Sequence, residues 1–124
     1  MGERNPIGWV DLTVPDAAAL RVFYEAVAGW TSAPLDMGGY DDYVMMAPDG
    51  ATPAGGICHA RGGNEGIPAQ WLIYITVPDL ETAVSEAETR GGSLVLGPKK
   101  AGNGRFAVLT DPAGAVFALY QEGA

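Results

Sequence analysis

A tetrapeptide that occurs twice constrains this chain more than any other feature. Thr-Val-Pro-Asp stands at Thr13–Asp16 and again at Thr76–Asp79, 63 residues further on. In both places it ends an apolar run and precedes an alanine-containing amphipathic segment. A period of this length that occurs twice indicates a duplicated module rather than a solenoid of short repeats.

The duplication extends well beyond the tetrapeptide. Gly29 and Gly92 follow the two amphipathic segments at the same separation of 63 residues, and turn-forming sequences end in Gly50 and Gly114, 64 residues apart. Each half therefore predicts a strand, a helix and three short strands. We expect an α+β fold in one domain, residues 1–124, with module one at about 7–60 and module two at about 70–121.

Length, composition and charge limit the possible partners. A chain of 124 residues that is 48% hydrophobic can bury one core of ordinary size. Its polar start and the lack of a long apolar run predict a cytoplasmic protein without a membrane segment. The net charge of −8 repels phosphate groups, so neither nucleic acid nor a membrane is expected as a partner, whereas a cationic small molecule is favoured.

The first module begins with a strand of alternating character. Alternation places Trp9, Asp11 and Thr13 on one face, and the aliphatic residues between them on the face that meets a helix. Asp16 is a suitable N-cap for that helix. Its predicted apolar stripe recurs at helical spacing, and its members are Leu20, Phe23, Tyr24 and Val27.

The second module repeats the pattern. Leu72, Tyr74 and Thr76 fall on the face that corresponds to Trp9, Asp11 and Thr13, while Ile73, Ile75 and Val77 point to the helix side. Asp79 caps a helix whose predicted stripe is Leu80, Ala83, Val84 and Ala87. The glycine-rich segment 61–68 between the modules is interpreted as a linker, because no helix start follows it.

These features together resemble the vicinal oxygen chelate superfamily, which includes glyoxalase I, the bleomycin resistance proteins and the extradiol dioxygenases. The resemblance covers residues 7 to 121 and depends on the repeated Val-Pro-Asp, on Gly29-Trp30 and on the segment 111–119. It looks closest to the glyoxalase-like branch that is abundant in bacteria. It implies two tandem βαβββ modules that form a curved mixed sheet around a cavity, and a homodimer.

The enzymes of this superfamily hold a divalent metal on the first and last strands of each module. The resemblance places these ligand positions at Trp9, Leu72, Ala118 and near Gly56, none of which can bind a metal. Asp11, His59 and Glu122 are the nearest substitutes, and they are scattered over strand ends. We therefore expect no metal and no cofactor, although a relocated metal site stays an alternative.

A pocket without its metal is the next expectation. Trp9 and Tyr74 offer stacking surfaces, Asp11 a charge, and Thr13 and Thr76 hydroxyl groups. The alternative is that the two aromatic side chains merely fill the space of missing ligands. A carboxylate at Asp11 needs a partner, for which Arg105 or a cationic ligand are the candidates, so the predicted ligand-binding set is Trp9, Asp11, Thr13, Tyr74, Thr76 and Arg105.

Two classes of function remain open from the sequence. The first is a metal-free protein that binds and sequesters a cationic or aromatic compound, as the resemblance to the bleomycin resistance proteins implies. The second is a lyase, an isomerase or a dioxygenase-like enzyme, with Asp11 as general base and Tyr74 as its acid partner, or with a relocated metal. Cys58 and His59 are adjacent strand residues that point to opposite faces, so they make a poor catalytic dyad.

Overall fold

The computed structural model describes residues 7–123, and its element order follows the predicted duplication. Module one consists of β1 (Ile7–Val14), α1 (Ala17–Ala28), β2 (Thr31–Asp36), β3 (Asp41–Met46) and β4 (Pro53–His59). A short 3-10 turn at Gly62–Asn64 lies in the connection. Module two consists of β5 (Trp71–Thr76), α2 (Leu80–Thr89), β6 (Ser93–Ala101), β7 (Gly104–Thr110) and β8 (Val116–Gln121). The chain is an α+β protein of two tandem βαβββ modules, as predicted.

Contacts divide the chain into two compact units. One comprises Val10–Trp71, and the other comprises Leu72 onward together with the described residues up to Trp9. The first strand therefore contributes to both units, and each unit has its own hydrophobic core.

The strands of module one are ordered β2-β3-β4-β1. β1 and β4 run parallel, with Asp11 beside Gly56 and Thr13 beside Cys58, whereas β3 is antiparallel to both of its neighbours. Parallel neighbours require a crossover connection, and here α1, β2 and β3 lie between β1 and β4 in the chain. This topology leaves one face of the sheet to α1 and the other to polar residues of β1.

The strands of module two are ordered β6-β7-β8-β5, which is the same arrangement. β5 and β8 are parallel, with Tyr74 beside Ala118 and Thr76 beside Tyr120. The core lies between this sheet and α2, and it contains every residue of the predicted α2 stripe. Ile75 and Val77 pack into the same core, so the predicted division of β5 into two faces is confirmed for them.

The core of module one depends on an aromatic cluster. The ring of Tyr24 stacks on Trp30 at 5.7 Å between centroids and meets Trp71 edge-on at 5.4 Å. The indole Nε1–H of Trp71 donates to the Tyr24 hydroxyl at 3.1 Å. The phenol is therefore satisfied within an apolar core.

The predicted stripe of α1 is only half right. Leu20 and Tyr24 pack on the core, but Phe23 is 53% exposed and Val27 is 67% exposed. The residue that completes the buried side is Ala17, which is fully buried. Ala17, Leu20 and Tyr24 follow the i, i+3, i+7 spacing, so the helix is rotated away from the orientation that the larger apolar side chains suggest.

Both helices begin as predicted. Asp16 Oδ1 accepts from the backbone N–H of Ala19 at 3.1 Å, and Asp79 Oδ1 accepts from that of Thr82 at 3.1 Å. At the other end of α1, Gly29 adopts a φ of 72°, which glycine tolerates without strain.

Asp16→Ala is expected to lower the free energy of unfolding by about 1 kcal/mol, because the amide of Ala19 loses its acceptor. Asp16→Asn keeps an acceptor oxygen and is expected to stay within a few tenths of a kcal/mol of the wild type. Urea denaturation of the three proteins measures the difference. An equal loss in both variants would show that charge, not the hydrogen bond, is the stabilising factor.

Over the described residues, 7–123, the structure contains no helix that is long and apolar enough to cross a membrane. The cytoplasmic location expected from the sequence stays a prediction.

Candidate functional site

In module one the face of the sheet opposite α1 carries the predicted polar residues of β1. Asp11 is half-buried and Thr13 is 2% exposed. Their neighbours in β4 are Gly56 and Cys58, which share this face by register. Gly56 is buried and has no side chain, so it contributes no polar group beside Asp11.

Cys58 lies between two carboxylates on this face. Burial raises the pKa of its thiol strongly, and the negative charges of Asp11 and Asp42, which also accept hydrogen bonds from it, raise the pKa further. The group therefore stays a neutral thiol over the physiological range. A thiolate is required for nucleophilic attack, so Cys58 is unsuited to covalent catalysis.

Asp42 is the functional candidate that the sequence reasoning missed. It is 2% exposed, and its Oδ1 accepts from the backbone N–H of His59 at 2.8 Å. In the sequence the apolar run that marks this strand starts at Tyr43, whereas β3 begins at Asp41. Extending the alternation two residues toward the N-terminus would have placed Asp42 on the same face as Val44.

The imidazole of His59 is fixed by its surroundings. Nδ1 lies 3.0 Å from the backbone carbonyl oxygen of Asp41 and 3.5 Å from Asp42 Oδ1. A carbonyl oxygen can only accept, so Nδ1 is the donor in its contact with Asp41. The ring of Tyr40 meets the imidazole edge-on at 5.5 Å between centroids. The Arg61 guanidinium lies 4.0 Å from the centroid of the Tyr40 ring.

In module two the equivalent face carries Tyr74 and Thr76, both half-buried. Tyr74 lies beside Ala118 in β8, and its ring is 6.2 Å from that of Phe106 in β7. A Cβ added to Gly8 would lie 3.0 Å from the Thr76 hydroxyl. These residues form a partly aromatic face on the side of the sheet opposite α2.

Arg105 has a partner within module two. Its guanidinium forms a short ion pair with the Glu81 carboxylate, on a surface where the two side chains are 39% and 59% exposed. The hydrogen bond from Arg105 lowers the pKa of Glu81. The structure thus pairs Arg105 with Glu81 of α2, while Asp11 has the Cys58 thiol beside it.

The metal positions that the family resemblance implies do not fit a metal. Leu72 and Ala118 are buried apolar residues, and Gly56 and Trp9 offer no ligating side-chain atom. Among residues 7–123, no group of three His, Cys, Asp or Glu side chains is placed to hold a metal ion.

Comparisons with known proteins agree with this architecture. The model of the glyoxalase-like domain family matches residues 9–120. The anthracycline biosynthesis protein DnrV of Streptomyces peucetius is 35% identical over 93% of this chain, and CFP32 of Mycobacterium bovis is 32% identical over 91%. The chain spans about half the length of these curated relatives, 46% and 44%.

Solved structures show the same fold. Methylmalonyl-CoA epimerase of Mycobacterium tuberculosis matches with a TM-score of 0.58 at 15% identity, over 100% of this chain and 94% of that protein. The epimerase of Streptomyces coelicolor matches with a TM-score of 0.56 at 15% identity, over 97% of this chain and 99% of that one. The match over residues 9–120 shows that this chain belongs to the glyoxalase-like domain family.

Proposed function

We propose that this protein binds an aromatic small molecule without using a metal. The observation that carries the proposal is the replacement of donors at the family's metal positions by Trp9, Gly56, Leu72 and Ala118. The faces of the sheet opposite α1 and α2 nevertheless carry two half-buried aromatic residues, Trp9 and Tyr74, and a carboxylate at Asp11.

The class of ligand follows from the character of these side chains. An indole and a phenol stack well on flat rings, and a carboxylate attracts a positive group. The relative DnrV is named for anthracycline biosynthesis, and anthracyclines are fused-ring aromatic compounds. The net charge of −8 favours a cationic member of this class.

A thermal-shift screen of fused-ring aromatic compounds, with cationic and neutral anthraquinones as first probes, tests the proposal. Trp9→Ala is expected to weaken binding of a hit by about 1–3 kcal/mol, or roughly 5-fold to 150-fold, because a stacking surface is lost. Trp9→Phe keeps an aromatic face and is expected to retain most of the affinity. Calorimetric titration measures both.

The charge is tested separately. Asp11→Asn is expected to weaken binding of the cationic anthraquinone and to leave the affinity for the neutral one unchanged. Equal affinities in the wild type, Trp9→Ala and Asp11→Asn would contradict the proposed placement of the ligand.

A proton-transfer enzyme is the second candidate, and the surroundings of Asp11 favour it. Asp11 is a half-buried carboxylate, and a carboxylate within reach of a ligand C–H can act as a general base. Exchange of a ligand C–H proton with deuterated water, present in the wild type and absent in Asp11→Asn, would support this function over binding alone.

We also propose that the chain acts as a homodimer, as the family resemblance implies. Exposed apolar side chains on α1, among them Phe23 and Val27, are consistent with a further contact.

A further inference from the structure

The thiol of Cys58 lies on the face of β4 that is turned away from α1. The preceding residue, Ile57, is fully buried in the core that α1 covers, and successive strand residues point to opposite faces. Cys58 is half-buried, and it is the single cysteine of the chain. Its S–H group is therefore the one thiol donor in this protein.

Strand pairing brings two carboxylates to this thiol. In β1, Thr13 lies beside Cys58, and Asp11 is on the same face two residues earlier. On the other side of β4, the antiparallel register of β3 continues to Asp42 beside Cys58. Both carboxylates accept a hydrogen bond from the thiol. Because an S–H group has a single proton, the thiol is a donor that Asp11 and Asp42 share.

The two carboxylates differ in their access to solvent. Asp42 is 2% exposed, and its Oδ1 already accepts from the backbone N–H of His59 at 2.8 Å. Asp11 is half-buried, so it is the carboxylate of this pair that a ligand can contact. The two oxygens of a carboxylate offer about four lone-pair sites. A thiol on one side of Asp11 therefore leaves other sites for a ligand.

We propose that Cys58 is a positioning residue whose thiol orients the Asp11 carboxylate, with Asp42 as the second acceptor of the same proton. The thiol neither attacks nor binds the ligand. It restricts the rotation of a side chain that would otherwise have to be ordered when a ligand binds. This inference rests on the proposed role of Asp11 in attracting a positive group, but the hydrogen bond itself can be measured without a ligand.

The direction of the effect follows from the weakness of a thiol as a donor. Because S–H is a weak donor, it withdraws little charge from Asp11, and the attraction of the carboxylate for a cation is nearly unchanged. Fixing one side chain before binding raises the affinity by roughly 2-fold to 10-fold. The two negative neighbours also disfavour a thiolate, so Cys58 stays a donor over the physiological pH range.

Infrared spectroscopy of the protein without ligand tests the hydrogen bond. The S–H stretch falls in a region where other protein groups do not absorb, and a chain with one cysteine gives one band. Asp11→Asn and Asp42→Asn each replace a charged acceptor by a weaker neutral one, so each is expected to raise the frequency of this band. Asp41→Ala removes an exposed carboxylate nearby and is expected to leave the band in place. A band that Asp11→Asn does not move would overturn the proposal, because the proton would then belong to Asp42 alone or to neither carboxylate.

Calorimetric titration with the cationic and the neutral anthraquinone tests the consequence for binding. Cys58→Ala is expected to weaken binding of the cationic compound by roughly 2-fold to 10-fold and to leave the affinity for the neutral one unchanged. Cys58→Ser keeps a donor and is expected to restore the wild-type affinity. The matched control is Ile57→Val, which trims the opposite face of the same strand. It is expected to lower the stability of the protein without changing either affinity.

The two measurements separate this proposal from the proposed function. Adding Cys58→Ala to Asp11→Asn is expected to cause no further loss of affinity, because the thiol acts only through Asp11. Additive losses, or a Cys58→Ala variant with the wild-type affinity for the cationic compound, would overturn the positioning role and leave the proposed ligand in place. If the screen yields no ligand, or if Asp11→Asn binds as the wild type does, the proposed function fails at Asp11. The infrared band then decides by itself whether Cys58 orients that carboxylate.

Discussion

Asp42→Ala is expected to lower the free energy of unfolding by about 2–4 kcal/mol. The carboxylate is almost fully buried, and it accepts from the backbone N–H of His59 at 2.8 Å and from the Cys58 thiol. Without it, the amide of His59 loses its acceptor, which costs about 1–3 kcal/mol. The loss of contact to His59 Nδ1 and the gap left by the side chain add to this cost.

Two variants make the result interpretable. Asp42→Asn keeps one acceptor oxygen and is expected to lose less than half as much stability, since an amide can still accept from His59. Asp41→Ala removes an exposed carboxylate from the next position and is expected to change stability by less than about 0.5 kcal/mol. Urea denaturation with a common slope is the measurement.

An Asp42→Ala variant as stable as Asp41→Ala would contradict the expectation. It would show that the cost of burying the carboxylate offsets the hydrogen bonds it makes, which is known for buried charges in other proteins. Asp42 would then be retained for its effect on His59 and Cys58 rather than for stability.

The fold could be predicted because the same sequence pattern occurs in both modules. Local signals that are weak singly, such as the N-caps Asp16 and Asp79, gain weight when they recur at one spacing. The α2 stripe was predicted correctly because its outer side is polar, so only one side of the helix can be buried. On α1 both sides are apolar, and periodicity then cannot decide which side meets the sheet.

The candidate site was predictable only in part. Alternation along β1 and β5 identified the faces of Asp11 and Tyr74, because side-chain direction in a strand follows from position alone. The partners of these residues come from other strands, and their register is not encoded in local spacing. Two contacts could therefore not be predicted from the sequence. One is between Cys58 and Asp42, which the pairing of β3 with β4 brings together, and the other is the ion pair of Arg105 with Glu81.

The thiol of Cys58 gives the protein a specific sensitivity to high pH. In an unfolded chain a cysteine has a pKa of about 8.5, and burial beside Asp11 and Asp42 raises the pKa well above that in the folded chain. Above pH 8.5 the unfolded state releases a proton that the folded state retains. Folding stability therefore falls as pH rises above 8.5, by up to about 1.4 kcal/mol per pH unit. Below the unfolded pKa both states keep the proton, so the thiol causes no pH dependence there.

Cys58→Ser removes the titrating group and keeps a hydrogen-bond donor for Asp42. The difference in unfolding free energy between the wild type and Cys58→Ser is expected to be constant from pH 6 to pH 8 and to shift in favour of the variant by roughly 1–2 kcal/mol at pH 10. Tyrosine and lysine titration is common to both proteins and cancels in the difference. Urea denaturation at each pH gives the values, and reaction of the folded wild type with a thiol reagent is expected to be slow over the same range. A pH-independent difference up to pH 10, or rapid labelling near pH 8, would show that the thiol ionises as freely in the folded chain as in the unfolded one, and that the two carboxylates do not act on it.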